Sequence, residues 1–338
     1  MGVKLPGILP VKTISFKELK GKKIAIDASN TLYQFLSSIR QKDGAPLMDK
    51  HGNITSHLVG LLTRSTNLME KGLQLVYIFD GKMPELKYSE IISREQRKIE
   101  AEELYREAKD KEDINSMYKY SMRTTRLTQP MINEAKELIK ALGMPLIQSI
   151  QEADAQISFM CRNGDVDYAA SSDLDYLLHA CPRLLLNLTL AQKRKLPGGK
   201  FVYIQPQLVE LAEVLKHLRI DQDQLIVLGI CSGTDYNPKG IKGIGPQKAL
   251  KLVKETKNFD EIFKQHNADF DWKKIYNLFK EMPVTKDYDL KWTKPDADAV
   301  KSLLVDKHDF SEERVASILS KLEKENNKKK QSNLAAWT

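Results

Sequence analysis

Apolar runs that stop at an acid recur along this chain. Lys22-Lys-Ile-Ala-Ile-Asp27 has the makeup of a short buried strand, Leu75-Val-Tyr-Ile-Phe-Asp80 of a second, and Asp167-Tyr-Ala-Ala-Ser171 of a third that leads into Asp173-Leu-Asp175. Helical spacing separates the first two, over Asn30-Thr-Leu-Tyr-Gln-Phe-Leu36 and then from Ile54 to Leu62 toward Gly72. Strand and helix in alternation predict a mostly parallel sheet covered on both faces, the α/β class. Pro145-Leu-Ile-Gln148, Arg183–Leu188 and, as the last strand, Phe201-Val-Tyr-Ile204 complete the set. Helices are predicted over Pro130–Leu142, stopped by Gly143, and Asp154–Cys161. From Pro206 onward the periodicity is helical, near 206–218, 222–232, 246–255, 271–281, 296–305 and 311–324.

Two stretches break the pattern. Residues 84–128 are dense in both charges and poor in strand formers, with a break near Lys109-Asp-Lys-Glu-Asp113. Their apolar positions are too sparse for a core, so they predict a helical hairpin projecting from the sheet, with a solvated surface pair as the plainer alternative. Residues 326–338 lose periodicity and carry Lys328-Lys-Lys330, which predicts a flexible tail beyond a folded body of residues 1–325.

The ends of parallel strands share one sheet edge, where ligands of open α/β sheets bind. Asp27, Asp80, the Glu152-Ala-Asp154 helix start, Asp173 with Asp175, and Gly233-Thr-Asp235 would bring seven carboxylates to that edge. A single acid at a strand end reads first as a helix N-cap. Seven together repel, so a shared pocket needs cations or protons. All-oxygen donors without His or Cys suit Mg²⁺ or Mn²⁺ rather than zinc. Asp173 and Asp175 share a face if the strand persists that far. Two ions about 4 Å apart would clamp a phosphodiester. Lys87 and Arg94 are seven apart and so share a helix face just beyond Asp80, although by spacing alone they are an exposed basic pair.

Composition narrows the partner. The net charge is +8 even though seven acids are assigned to one site, so the remaining surface is more basic than the total and favours a polyanion. With 41% hydrophobic and 29% charged residues, and no apolar run of spanning length, the chain reads as globular with no membrane partner. Pro6 stands where a myristoylation site needs Ser or Thr, and Cys161, Cys181 and Cys231 lack metal-ligand spacing and read as buried thiols. Gly240-Ile-Lys-Gly-Ile-Gly-Pro-Gln-Lys-Ala249 opens a helix with Pro246 at its first turn, a helix-hairpin-helix pattern that grips a duplex backbone; a structural glycine turn is the alternative.

Taken together, Ile26-Asp-Ala-Ser29, Tyr33-Gln-Phe-Leu36, Val76-Tyr-Ile-Phe-Asp-Gly-Lys82, Glu152-Ala-Asp-Ala155, Ser172-Asp-Leu-Asp175, Gly233-Thr-Asp-Tyr236 and Gly240-Ile-Lys-Gly-Ile-Gly245 resemble the flap endonucleases of archaeal and eukaryotic type. The resemblance implies a PIN-like nuclease fold with a helical arch near 84–128 and a helix-hairpin-helix near 226–257. It implies two Mg²⁺ ions, with Mn²⁺ as a substitute, the first held by Asp27, Asp80, Glu152 and Asp154 and the second by Asp173, Asp175 and Asp235. It further implies that Lys87 and Arg94 engage the scissile phosphate and that Tyr33 stacks on a base. Gly2, Arg40, Arg64, Glu152, Gly233, Asp235, Gly243, Gly245 and Lys248 are then DNA contacts, with a K⁺ ion at the hairpin. The expected activity is Mg²⁺-dependent hydrolysis at 5′ flaps, with 5′–3′ exonuclease action, in Okazaki-fragment maturation and repair.

Two positions depart from the family pattern. Asp154 replaces the second Glu of a Glu-x-Glu pair. The tail Gln331-Ser-Asn-Leu-Ala-Ala-Trp-Thr338 resembles a sliding-clamp (PCNA) box, contacting through Gln331, Leu334 and Trp337, but Thr338 stands where a second aromatic is usual. The expected protein is a monomer working in an archaeal cytoplasm or a eukaryotic nucleus. The rivals are a bubble- or junction-cutting relative, a non-catalytic DNA-binding clamp adaptor, and an aspartate-phosphorylated phosphatase or receiver fold, which explains the strand-end acids but neither the glycine hairpin nor the charged arch.

Overall fold

The computed structural model describes residues 3–338 except 4, 6, 8, 189–192, 196–200 and 336–338. Gly2 and Trp337 therefore lie outside the described residues, as do the side chains of Gln331 and Leu334. In chain order, β1 (Val11–Thr13) precedes β2 (Lys23–Asp27), α1 (Ala28–Ser38), α2 (Ser56–Glu70) and β3 (Gln74–Phe79). The charged hairpin follows as α3 (Tyr88–Asp110) and α4 (Ile114–Ser121). Then come α5 (Gln129–Ala141), β4 (Leu146–Gln148), α6 (Ala153–Asn163), β5 (Tyr168–Ala170), α7 (Asp175–Leu178) and β6 (Arg183–Leu186). A small hairpin, β7 (Lys193–Lys195) and β8 (Phe201–Tyr203), leads to β9 (Gln207–Glu210). The remainder is helical: α8 (Leu211–Leu218), α9 (Gln222–Ser232), α10 (Pro246–Glu255), α11 (Phe259–Gln265), α12 (Trp272–Glu281), α13 (Ala297–Lys301) and α14 (Glu312–Ala335).

The seven-stranded sheet has the order β1-β9-β6-β5-β2-β3-β4. Its central pairs are parallel, while β9 runs antiparallel to both β6 and β1. Strand alternation divides the core into two layers. Ile24, Ile26, Leu75, Tyr77 and Phe79 face α1, α2 and α5, whereas Ala25, Val76 and Ile78 face α6 and α9.

Four expectations need correcting. The last strand of the sheet is β9, not Phe201–Tyr203, which pairs only with β7. Leu208 and Val209 had fitted the helical period of the residues that follow them, which form α8. The strand before Asp173 stops at Ala170, so Asp173 lies in a turn and Asp175 opens α7. Finally, α14 continues to Ala335, through a stretch expected to be flexible, on Glu, Lys, Asn and Gln with no Pro or Gly to end it.

The C-terminal part is fastened to the N-terminal layer by a buried charged cluster. His308 is 3% exposed; its Nδ1 lies 2.9 Å from Asp49 Oδ2 and its Nε2 3.1 Å from Glu134 Oε1. Lys307 reaches the same Glu134 oxygen at 3.0 Å. The fully buried His57 lies 3.6 Å from the other Glu134 oxygen, and burial pushes its imidazole down to about 4.

Candidate active site

Topology brings the acids together. Asp27 is the last residue of β2, Asp80 follows β3, and Asp173 lies three residues past β5; these are adjacent parallel strands. Glu152 is the N-cap residue of α6, still extended, and Asp154 sits in its first turn, so the spacing of a regular helix does not force the two apart. Asp235 arrives from the loop after α9, where Gly233 takes φ +105° and a Cβ would lie 2.8 Å from the Pro238 carbonyl. Gly81 is equally constrained, since a Cβ there would come within 2.2 Å of the Ser149 carbonyl oxygen.

All seven carboxylates line one pocket of about 800 Å³, along with Tyr33, Lys87, Arg94 and Arg97. Backbone amides hold several of them: Asn30 N–H donates to Asp27 at 2.9 Å, Ala153 N–H to Asp80 at 2.8 Å, and Val3 N–H to Asp175 at 2.6 Å. The cations come from the base of the hairpin. Lys87 Nζ donates to Glu152 Oε1 and lies 3.6 Å from Asp235 Oδ2, and Arg94 Nη2 donates to Asp235 Oδ2 at 2.6 Å.

The electrostatics are those of crowded like charges. Burial first, and the neighbouring acids next, raise Asp27 and Asp154 well above the usual carboxylate range. Burial likewise raises Asp173, and Asp175 is pushed up to about 8 by burial and by Asp173. Burial alone would lower Lys87, but Glu152 and Asp154 outweigh it and raise its affinity for the proton. The donors therefore fit hard divalent cations, being seven carboxylates with no His or Cys among the lining residues. Among the described residues no three of them are already closed around one point, since Lys87 and Arg94 stand between them.

Two residues of the site carried no assignment from sequence. Glu90, 5% exposed, accepts from Arg94 Nε and from Arg97 Nη2, each at 2.9 Å, and so fixes the hairpin's arginines; its spacing of four and seven from them was the available signal. The Tyr236 hydroxyl donates to Glu152 Oε2 across 84 residues, which no local pattern announces.

Two family models match the chain, the XPG N-terminal domain over residues 2–101 and the XPG I-region over 143–235. Flap endonuclease 1 of Thermococcus onnurineus is 48% identical over 100% of this chain and 99% of its own length, and that of Pyrococcus furiosus 49% over 100% and 99%. The chain belongs to the flap endonuclease 1 family. The solved flap endonuclease-1 from Methanococcus jannaschii superposes with a TM-score of 0.78 at 36% identity, covering 97% of this chain and 100% of that one. The catalytic core of Rad2 in complex with DNA substrate shares the fold, with a TM-score of 0.68 at 24% identity over 92% and 96% of the two chains. The architecture is thus the α/β, PIN-like nuclease fold expected from the resemblance.

The other residues that the flap endonuclease resemblance nominated are more dispersed. Tyr33 reaches the pocket, with its hydroxyl on the Thr125 carbonyl and Lys98 Nζ 5.3 Å from its ring centre. Arg40 is tied instead to the carbonyls of Leu36 and Gly44 and to Thr125 Oγ1, just past α4, and neither it nor Arg64 lines the pocket. Gly243 takes φ +78°, Gly245 caps α10, and Lys248 Nζ lies 3.1 Å from the Gly243 carbonyl. Gly243 and Gly245 are exposed just ahead of α10, which has Pro246 in its first turn.

Proposed function

We propose that the pocket hydrolyses phosphodiesters of branched DNA at 5′ flaps, using divalent cations held by the seven carboxylates, with Mg²⁺ the working ion and Mn²⁺ a substitute. The observation that carries this is the convergence of those acids with Lys87 and Arg94 at one sheet edge. A protein that only bound a polyanion would gain nothing from seven clustered negative charges, which disfavours the adaptor alternative. Bound there, the cations would supply Lewis acidity to activate water and to stabilise the leaving oxygen.

The chain's own groups do the remainder. Lys87 and Arg94, now bonded to Glu152 and Asp235, are within reach of a phosphate seated above the acids and can neutralise charge developing on its non-bridging oxygens. Asp27, Asp80, Glu152 and Asp154 would hold one cation, and Asp173, Asp175 and Asp235 the other. Tyr33 offers a ring for the base next to the cut, and the hairpin α3–α4 a passage for a 5′ single strand. The amides at the start of α10, with Gly243, Gly245 and Lys248, would grip duplex backbone, with K⁺ as a bridging ion. Gln331, Leu334 and Trp337 would dock on a sliding clamp, the protein acting as a monomer inside the cell where DNA is replicated and repaired.

A labelled double-flap substrate tests this with and without Mg²⁺, beside bubble and four-way junction substrates. Asp173→Ala should abolish cleavage, by about 10³-fold or more, with flap binding retained. Retained cutting by that variant, or a preference for bubbles or junctions, would overturn the assignment.

A further inference from the structure

We infer that Tyr236 is a positioning residue, whose hydroxyl fixes the carboxylate of Glu152 so that one oxygen is left facing the pocket. This rests on the function proposed above. The two oxygens of Glu152 have different partners: Oε2 accepts from the Tyr236 hydroxyl, and Oε1 accepts from Lys87 Nζ. Lys87 belongs to the hairpin and is exposed to the pocket, whereas Tyr236 is 7% exposed and immobilised.

Two contacts fix the tyrosine, and its neighbours brace each of them. Phe279 of α12 meets its ring edge-on, with centroids 5.3 Å apart, and Phe279 in turn packs on His179 at 5.0 Å. The Tyr236 N–H donates to Thr234 Oγ1 at 3.2 Å, and Asn237 Oδ1 accepts from both the N–H and the hydroxyl of Thr234. The loop that presents Asp235 to the pocket is therefore the same loop that steadies Glu152. When a phosphate draws Lys87 away, Oε1 becomes available while the hydrogen bond to Oε2 keeps the carboxylate from rotating. Partners of metal-binding carboxylates that do not touch the ion typically change affinity or activity 10- to 100-fold when lost.

Tyr236→Phe removes only the hydroxyl and keeps the ring. On DNA-free protein, Mn²⁺ affinity measured by electron paramagnetic resonance of the free ion should fall about tenfold. Single-turnover cleavage should fall by about 10- to 100-fold with flap affinity, measured in Ca²⁺, unchanged. In a Glu152→Ala background the same substitution should change the remaining Mn²⁺ affinity by no more than about twofold, because the acceptor it acts through is gone. Phe279→Leu, which loosens the ring but keeps the hydroxyl, should give a smaller loss of Mn²⁺ affinity in the wild-type background and none in Glu152→Ala. Wild-type Mn²⁺ affinity and cleavage in Tyr236→Phe, or equal losses in both backgrounds, would overturn the inference. Failure of the wild-type protein itself to bind Mn²⁺ or cut a flap would instead remove the site reading, and this inference with it.

Discussion

The molecule contains two clusters of buried charge that behave in opposite ways. At the sheet edge, burial and mutual repulsion push Asp27, Asp154, Asp173 and Asp175 upward. Around His308, Asp49 and Glu134 are held below the usual range; burial opposes this, and hydrogen bonds from Asn53 and His308 to Asp49, and from Lys307 to Glu134, outweigh it. The first cluster gathers like charges, whereas the second sets each of its two carboxylates against hydrogen-bond donors. The difference teaches which buried acids fasten a fold and which are kept at its expense for chemistry.

Exchanging single members of each cluster sharpens the contrast. The largest effect should come from Lys87→Ala, which should slow single-turnover flap cleavage by about 10³-fold, equivalent to about 4 kcal/mol, with little loss of melting temperature. His308→Ala should do the reverse. It leaves Asp49 and Glu134 without the ring between them, so chemical denaturation should show a loss of about 3 kcal/mol, with activity per folded molecule unchanged.

Asp175→Asn should give the smallest change in stability and one of opposite sign, stabilising the metal-free protein by about 1–2 kcal/mol at pH 8. The pH dependence follows from the raised value, from 3.8 to about 8. Stability from this group is fully present below about pH 4 and is lost as pH rises through the folded value, so the variant's advantage should shrink on acidification and vanish near pH 4. Asp49 and Glu134, being lowered, contribute above their ordinary values and lose that contribution only in stronger acid. A variant no more stable than wild type at pH 8 would place the two clusters in one class.

The catalytic edge was legible in sequence because each block announces itself locally, an apolar strand or a helix start ending in an acid. The sheet's far edge was not. Val11–Thr13 is exposed at every position and carries no apolar signal, and the strand Gln207–Glu210 runs straight into the helical period of α8. Asp173 and Asp175 would share a strand face only if the strand ran that far, whereas it stops at Ala170 and Asp175 begins a helix. The roles of His308, Glu90 and Tyr236 depend on partners between four and 259 residues away, and for the long separations only the folded chain supplies the neighbour.

Val3 sits at 4% exposure with its amide on Asp175, a residue synthesised 172 positions later. One backbone amide thus ties Val3 to an acid of the reaction chamber, and Val3→Pro, which lacks that amide, should loosen the Asp175 carboxylate without altering any side chain that lines the pocket.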